Sequence, residues 1–290
     1  MDLNLILVCV VIVVALFFSY TNGFHDAANA IATSVSTRAW TPRAALLMAA
    51  TMNVIGAMMG TAVAKTVGKG IISISDYAES PLPEMQQKGL VIILAALLGA
   101  CIWNLITWWF GLPSSSSHAL IGGMVGAGLL SGTMVHWWGI MSHVVIPMFA
   151  SPIIGFAIGY FVMKLVLWLL RHAQYHRTMR RFRAAQRFSS AAMALGHGIQ
   201  DAQKTMGIIV MALLAGGYGE THNILDPITG EMNVPLWVKI SGALAISLGT
   251  MAGGGRIMRT IGRKIIDLDP ARGFTAEAVS SSILYLCSYV

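Results

Sequence analysis

The sequence predicts an all-α, polytopic membrane protein built from two related halves, with broken or re-entrant helices at its centre. Three observations predict this. The chain has 290 residues, of which 56% are hydrophobic and only 11% charged, against about 25% charged in a soluble domain. The apolar residues form long runs rather than periodic stripes. Polar motifs interrupt the runs, and two stretches of the sequence repeat them in the same order.

The elements follow in order. Met1 and Asp2 precede LNLILVCVVIVVALFFSY, an apolar run of about a membrane thickness, residues 3–20. It lacks a basic n-region and a small-x-small cleavage site, so it is taken as a retained first span and not a signal peptide. Further runs long enough to span cover 44–64, 89–110, 144–168 and 237–255, with shorter pieces at 119–131 and 205–218 and a last run at 276–290.

Between spans, RHAQYHRTMRRFRAAQR (171–187) carries six arginines and no acid. It is placed in the cytoplasm as a topology anchor, with lipid or partner binding as the alternative. Arg256, Arg259, Arg263 and Lys264 form a second basic cluster. The loop 219–236, with Glu220, Asp226 and Glu231 and no base, is expected outside, while 65–88 is mixed. The expected division is a first repeat at 1–170, a basic cytoplasmic loop at 171–187 and a second repeat at 188–290. The net charge of +7 is held in these short basic clusters, which argues against nucleic acid as a partner. Cys9, Cys101 and Cys287 lie inside apolar segments without paired spacing, so neither a disulfide nor a zinc site is expected.

The repeat is seen where Gly198-Ile199-Gln200-Asp201-Ala202 lines up with Gly23-Phe24-His25-Asp26-Ala27, which sets Lys204 opposite Asn29. Further on, 65–72 (KTVGKGII) lines up with 259–266 (RTIGRKII).

These repeated motifs are the candidate site. An aspartate at membrane depth costs about 2.5–3.5 kcal/mol, so it faces a cavity, a partner or an ion. The alternative is a helix cap in the headgroup region. Two aspartates at matching places favour the site. Asp26 and Asp201 offer hard oxygens to sodium, or a carboxylate to a proton, and Asn29 adds an amide oxygen without charge.

The stretch GLPSSSSHALIGG, 111–123, has a Gly-Pro break followed by Ser114, Ser115, Ser116 and Ser117. Pro113 fits the first turn of a restarted helix. The free N–H groups and positive dipole end of that helix, with the hydroxyls, suit an oxyanion such as phosphate or sulfate. Four serines exceed what one cap needs. Lys204 adds a positive charge beside Asp201 or else snorkels to an interface. His118 is either a hydrogen-bonding partner or a capping residue. His136 and His143 look interfacial, and His197 is read as a loop residue. No HExxH, GxSxG or P-loop is present, which excludes the common enzyme signatures. Gly253-Gly254-Gly255 is read as a helix end.

Asn22-Gly23-Phe24-His25-Asp26-Ala27-Ala28-Asn29-Ala30, Gly111-Leu112-Pro113-Ser114-Ser115-Ser116-Ser117-His118 and Gly196-His197-Gly198-Ile199-Gln200-Asp201-Ala202-Gln203-Lys204 together resemble the motifs of the PiT family of inorganic phosphate transporters. The resemblance implies two inverted-topology halves and a phosphate symporter of the plasma membrane, with phosphate and a coupling ion bound between the halves. It assigns Ser115, Ser116, Ser117 and His118 to phosphate, and Asp26, Asn29 and Asp201 to the coupling cation. Ser114 and Lys204 are added to the phosphate set, and His25 and Gln200 to the cation set. Asp26, Asn29 and Asp201 would be the metal ligands if the ion is sodium.

His25 stands where sodium-coupled members carry Asn, as in the low-affinity bacterial branch. A group that holds a transferable proton near neutral pH points to protons. No cofactor is expected beyond coupling H+ or Na+, and the substrate is phosphate or a metal phosphate. The expected partners are inorganic phosphate and the lipid bilayer, with a homodimer allowed for. The resemblance also implies a second Pro-Ser-rich motif. Cys287-Ser288-Tyr289-Val290 stands in the place of Thr107-Trp108-Trp109-Phe110, so the second repeat is expected to be incomplete, the rest of the cradle coming from further chain or a partner. The alternatives to phosphate symport are a carrier of sulfate or another oxyanion and a non-transporting membrane subunit of a larger complex.

Overall fold

A computed structural model describes residues 3–59, 77, 82–219, 221–222, 224, 233–261 and 268–289. These form nine helices among the described residues: α1 (Leu3–Ser36), α2 (Pro42–Met59), α3 (Pro83–Phe110), α4 (Ser116–Ser131), α5 (Trp137–Leu169), α6 (Tyr175–Ala215), α7 (Leu236–Ala252), α8 (Gly255–Thr260) and α9 (Pro270–Tyr289). Four of them, α1, α2, α3 and α5, are long and apolar enough to cross a membrane. At 17 residues, α7 is an apolar helix about 25 Å long.

The first span does not end at Tyr20. Helix α1 continues for 34 residues through Gly23 and Asp26 to Ser36, about 51 Å. Its polar residues after Tyr20 are not an exit into water, because they are taken up by neighbouring helices. Nor is 171–187 a loop: from Tyr175 it is the opening of α6, a 41-residue helix that also absorbs the expected apolar piece 205–218. Arginine, alanine, glutamine and methionine are good helix formers, so charge placed this segment outside the apolar core without breaking its helix. His197 is likewise helical.

The α3–α4 break lies where Gly-Pro was expected. Gly111 adopts the left-handed conformation (φ 66°), its N–H reaching back to the Thr107 and Trp108 carbonyls, as a helix C-cap does. Pro113 does not enter the new helix. Ser115 is the cap, its Oγ accepting from the His118 N–H at 3.3 Å. Helix α4 has 16 residues, about 24 Å, short of the ~30 Å hydrocarbon core. Gly253 (φ 71°) ends α7, and Gly255 starts α8. Helix α5 carries a π-turn at Met141–Val145, just before Pro147, which lacks an N–H to close an α-turn. The repeat match at 65–72, its counterpart from 262 to 266 and most of 219–236 lie outside the described residues.

The core is organised by crossings. Helix α1 packs on α7, α6 and α3; α2 packs on α6 and α7; α9 packs on α6, and α4 on α3. At the α1–α7 crossing a Cβ on Gly23 would fall 2.2 Å from the Ile246 carbonyl oxygen, and one on Gly249 would fall 2.0 Å from that of Tyr20. At the α6–α2 crossing, Gly198 faces the Asn53 backbone, and a Cβ on Gly56 would fall 2.3 Å from the Leu195 carbonyl oxygen. Small residues let membrane helices approach until backbones touch. Thr250 joins the first crossing to α2, donating to the Gly23 oxygen at 3.3 Å and accepting from Asn53 at 2.8 Å. None of the side chains of α5 is buried, which suits a helix facing lipid.

Candidate functional site

The two aspartate turns and the serine loop meet in one cavity of about 420 Å³, lined by Asp26 and Asn29 of α1, Pro113 to Ser117, and His197, Gln200, Asp201 and Lys204 of α6, with Leu284 of α9. The α1–α6 contact brings the two carboxyls into the same cavity.

On α1, Asn29 Nδ2 donates to Asp26 Oδ1 at 2.9 Å. Ser116 Oγ donates to Asn22 Oδ1 at 2.6 Å and lies 3.4 Å from Asp26 Oδ2. Asn22 and Asn29 therefore flank Asp26 at i−4 and i+3, one face of a helix. Helix α6 repeats the arrangement: His197 Nδ1 lies 3.5 Å from Asp201 Oδ2, and Lys204 Nζ donates to Asp201 Oδ1 at 2.5 Å. The same ammonium donates to Ser117 Oγ at 2.5 Å, tying the second aspartate to the serine loop. Gln200 Nε2 donates to the Leu284 carbonyl at 3.1 Å, which fixes α9 at the cavity wall.

The serines divide the work. Ser115 caps α4, Ser116 binds Asn22, Ser117 meets Lys204, and Ser114 accepts from the Trp103 indole at 3.1 Å. The hydroxyls of this loop, the Lys204 ammonium and both carboxylates therefore share one lining, with Ser116 beside Asp26 and Lys204 bridging Ser117 to Asp201.

Two candidates fall elsewhere. His25 is 2% exposed, and it points to α3: Nε2 donates to the Asn104 carbonyl at 2.8 Å and lies 3.2 Å from Thr107 Oγ1. The next residue along a helix is turned by about 100°, so Asp26 can face the cavity while His25 faces away. His118 is exposed and lines a neighbouring cavity of about 580 Å³ with Gly99, Trp103 and Gly122.

Two residues of the constellation were not assigned to the site from sequence: Asn22, and His197, which was read as a loop residue. The signal for them was present, since each stands four residues before an aspartate of the repeat. A second buried acid was also unforeseen. Glu277 of α9, 3% exposed, accepts from Thr33, from Gln186 at 3.1 Å and from Ser189 at 2.6 Å. Among the described residues no group of three or more His, Cys, Asp or Glu side chains is arranged to hold a metal ion.

Residues 22–290 match the profile of the phosphate transporter family. The chain is similar to a probable low-affinity inorganic phosphate transporter of Bacillus subtilis, 39% identical over the whole chain and 82% of that protein. It is 57% identical to one from Streptomyces halstedii over 68% of this chain and 89% of that one. A Mycobacterium bovis relative of the same description is 40% identical over the full chain, which spans 65% of its length. The fold is similar to a solved structure titled a sodium-dependent phosphate transporter, with a TM-score of 0.80, 22% identity, and coverage of 97% of this chain and 84% of that one.

Proposed function

The chain belongs to the phosphate transporter family, and from that premise we propose that it carries inorganic phosphate across the plasma membrane as a cation-coupled symporter, not as an enzyme. The observation that carries this reading is the one cavity that brings donors for an oxyanion and carboxylates for a cation together.

Phosphate suits the donor side. Ser114, Ser115, Ser116 and Ser117 offer hydroxyls, the start of α4 offers backbone N–H groups and a positive dipole end, and Lys204 offers a full charge. The carboxylates favour phosphate over sulfate. Asp26 and Asp201 can accept a hydrogen bond from a P–OH group, and sulfate carries no such proton near neutral pH.

Coupling follows from charge. With Asp26 and Asp201 ionised and Lys204 protonated, two negative charges meet one positive, and an entering anion is repelled. The carboxylates also repel each other, and a cation or proton between them relieves both strains. Neutralising Asp201 does a second thing: it loosens the tether on Lys204 and leaves the ammonium to Ser117 and phosphate. The cation therefore creates the anion's site, which is the differential affinity that coupling needs. Asp26, Asn29, Gln200 and Asp201 hold the cation, H+ or Na+, in this scheme. His25 lies on the far face of α1, so the carboxylates carry the coupling.

The halves rock about the cavity in alternating access. Two inverted repeats are supported by the matched crossings of α1 on α7 and α6 on α2, and by the matched triads around the aspartates. The basic segments 171–187 and 256–264 set the cytoplasmic side.

Uptake of radiolabelled phosphate into proteoliposomes tests the reading, with pH and sodium gradients imposed separately. Uptake driven by one of them, lost in Asp26→Asn and little affected by equimolar sulfate, is expected. Undiminished uptake by Asp26→Asn overturns the assigned role.

A further inference from the structure

Helix α8 touches the serine loop's root and not the cavity. It follows the α7 break, where a Cβ on Gly254 would fall 2.4 Å from the Phe24 carbonyl oxygen, two residues before Asp26. So α8 is seated directly on the aspartate helix. From there it reaches the end of α3. Arg256 Nη1 donates to the Trp109 carbonyl at 3.0 Å, and Thr260 Oγ1 donates to the Gly111 carbonyl at 2.9 Å. Trp109 lies in the last turn of α3 and Gly111 is its C-cap, where carbonyls have no partner within the helix. The Arg256 guanidinium also lies over both indoles, 5.1 Å from the Trp108 ring and 4.8 Å from that of Trp109. Trp108 in turn packs on Phe24, with ring centroids 5.5 Å apart.

Gly111 is the residue at which the chain leaves α3 for the serines. Its left-handed conformation sets the direction of Leu112 to Ser115, and Thr260 holds its carbonyl. The loop is fixed at its far end by Ser115 and Ser116 and at Ser114 by Trp103. Its near end is fixed from α8, which belongs to the second half of the chain.

We infer that Arg256 and Thr260 are positioning residues for phosphate: from outside the cavity they hold the Gly111 turn, and so aim the serine hydroxyls. The inference rests on the phosphate reading above. A loop released at one end samples more conformations, and the ordering cost falls on the ligand. Affinity should then fall while the maximal rate, set by the movement of the halves, is kept.

The test is equilibrium binding of radiolabelled inorganic phosphate to the purified full chain, with uptake kinetics and thermal unfolding of the same variants. Thr260→Val should weaken phosphate binding about tenfold, on the scale of one lost hydrogen bond. It should raise KM by the same factor and leave the rate at saturating phosphate and the melting temperature near wild type. Thr260→Ser keeps the hydroxyl and should bind as wild type does. Arg256→Gln should weaken binding at least as much, and Arg256→Lys should not rescue it, since an ammonium lacks the planar fork that stacks. If Thr260→Val does not fold, Arg256→Gln decides. Wild-type affinity in a folded Thr260→Val or Arg256→Gln overturns the inference and leaves the phosphate reading standing. So does a lowered maximal rate at unchanged KM. A wild-type chain that binds no phosphate overturns both.

Discussion

Asp26 on α1 and Asp201 on α6 occupy matching turns of two helices that cross the opposite half of the chain through the same kind of glycine contact. Each has a polar neighbour at i−4 and another at i+3. On α1 these are Asn22 and Asn29, which add no charge; on α6 they are His197 and Lys204, which can carry two. One backbone frame thus holds an acid among amides and an acid among bases. In the proposed scheme the first is the acid that holds a cation, and the second, balanced by Lys204, becomes a donor site when it is neutralised. Duplicated geometry with unequal charge would then let one cavity answer to ions of both signs.

The comparison can be broken most severely at the α6 turn. Asp201→Asn leaves the part-buried Lys204 ammonium without its carboxylate, a loss of up to about 3 kcal/mol, the lower end of the range for a broken buried pair. Phosphate uptake should disappear and the melting temperature should fall, whereas Asp26→Asn should abolish uptake with a smaller change in melting. Equal melting losses would mean that the two acids are not differently balanced.

Lys204→Met tests the donor role. Losing a charge-assisted hydrogen bond of ~1.5–3 kcal/mol should raise the phosphate KM about 10- to 100-fold. Adding Asn29→Lys to a Lys204→Asn chain should not restore uptake, because the contact with Ser117 is made from α6 alone. Recovery in a transport assay would show the turns to be interchangeable.

The crossings come next. Gly249→Ala and Gly56→Ala each force a methyl group against backbone. Each should cost about 1–3 kcal/mol, as overpacking does, and a similar drop in thermal stability at both would sharpen the case for equivalent halves.

The smallest effect is expected at His25. His25→Gln can still donate to the Asn104 carbonyl, so stability should change by less than about 1 kcal/mol. The pH profile of uptake should superimpose on that of wild type. A displaced profile would return the histidine to the coupling path.

Much of this was legible in residues. Hydropathy marks the spans because a bilayer asks for length and apolarity, both local properties. The break at 111–115 is legible because Gly-Pro is local chemistry. The end of α1 was not. Hydropathy falls after Tyr20, and nothing local shows that the helix runs on through His25, Asp26 and Asn29, because groups that take up its polar side chains lie far along the chain: Asn104 for His25, Ser116 for Asn22. The arginines of α6 misled in the same way, since charge density marks exposure and not helix ends. Within the site, sequence put His25 and His118 beside their motif neighbours, but a helix turns adjacent residues to different faces. The i−4 partners Asn22 and His197 could have been found by extending the repeat alignment one turn backwards.

The crossings bear on how the protein is made. The Gly23 carbonyl accepts from Thr250, 227 positions later in the chain. At about 5–20 residues per second, roughly 10–45 s of synthesis separate them. During that interval the nascent first half sits in the bilayer with its glycine notch facing lipid or a chaperone. Each half completes its partner's packing, so the acid pair and the serine loop assemble late, once α7 and α8 have entered.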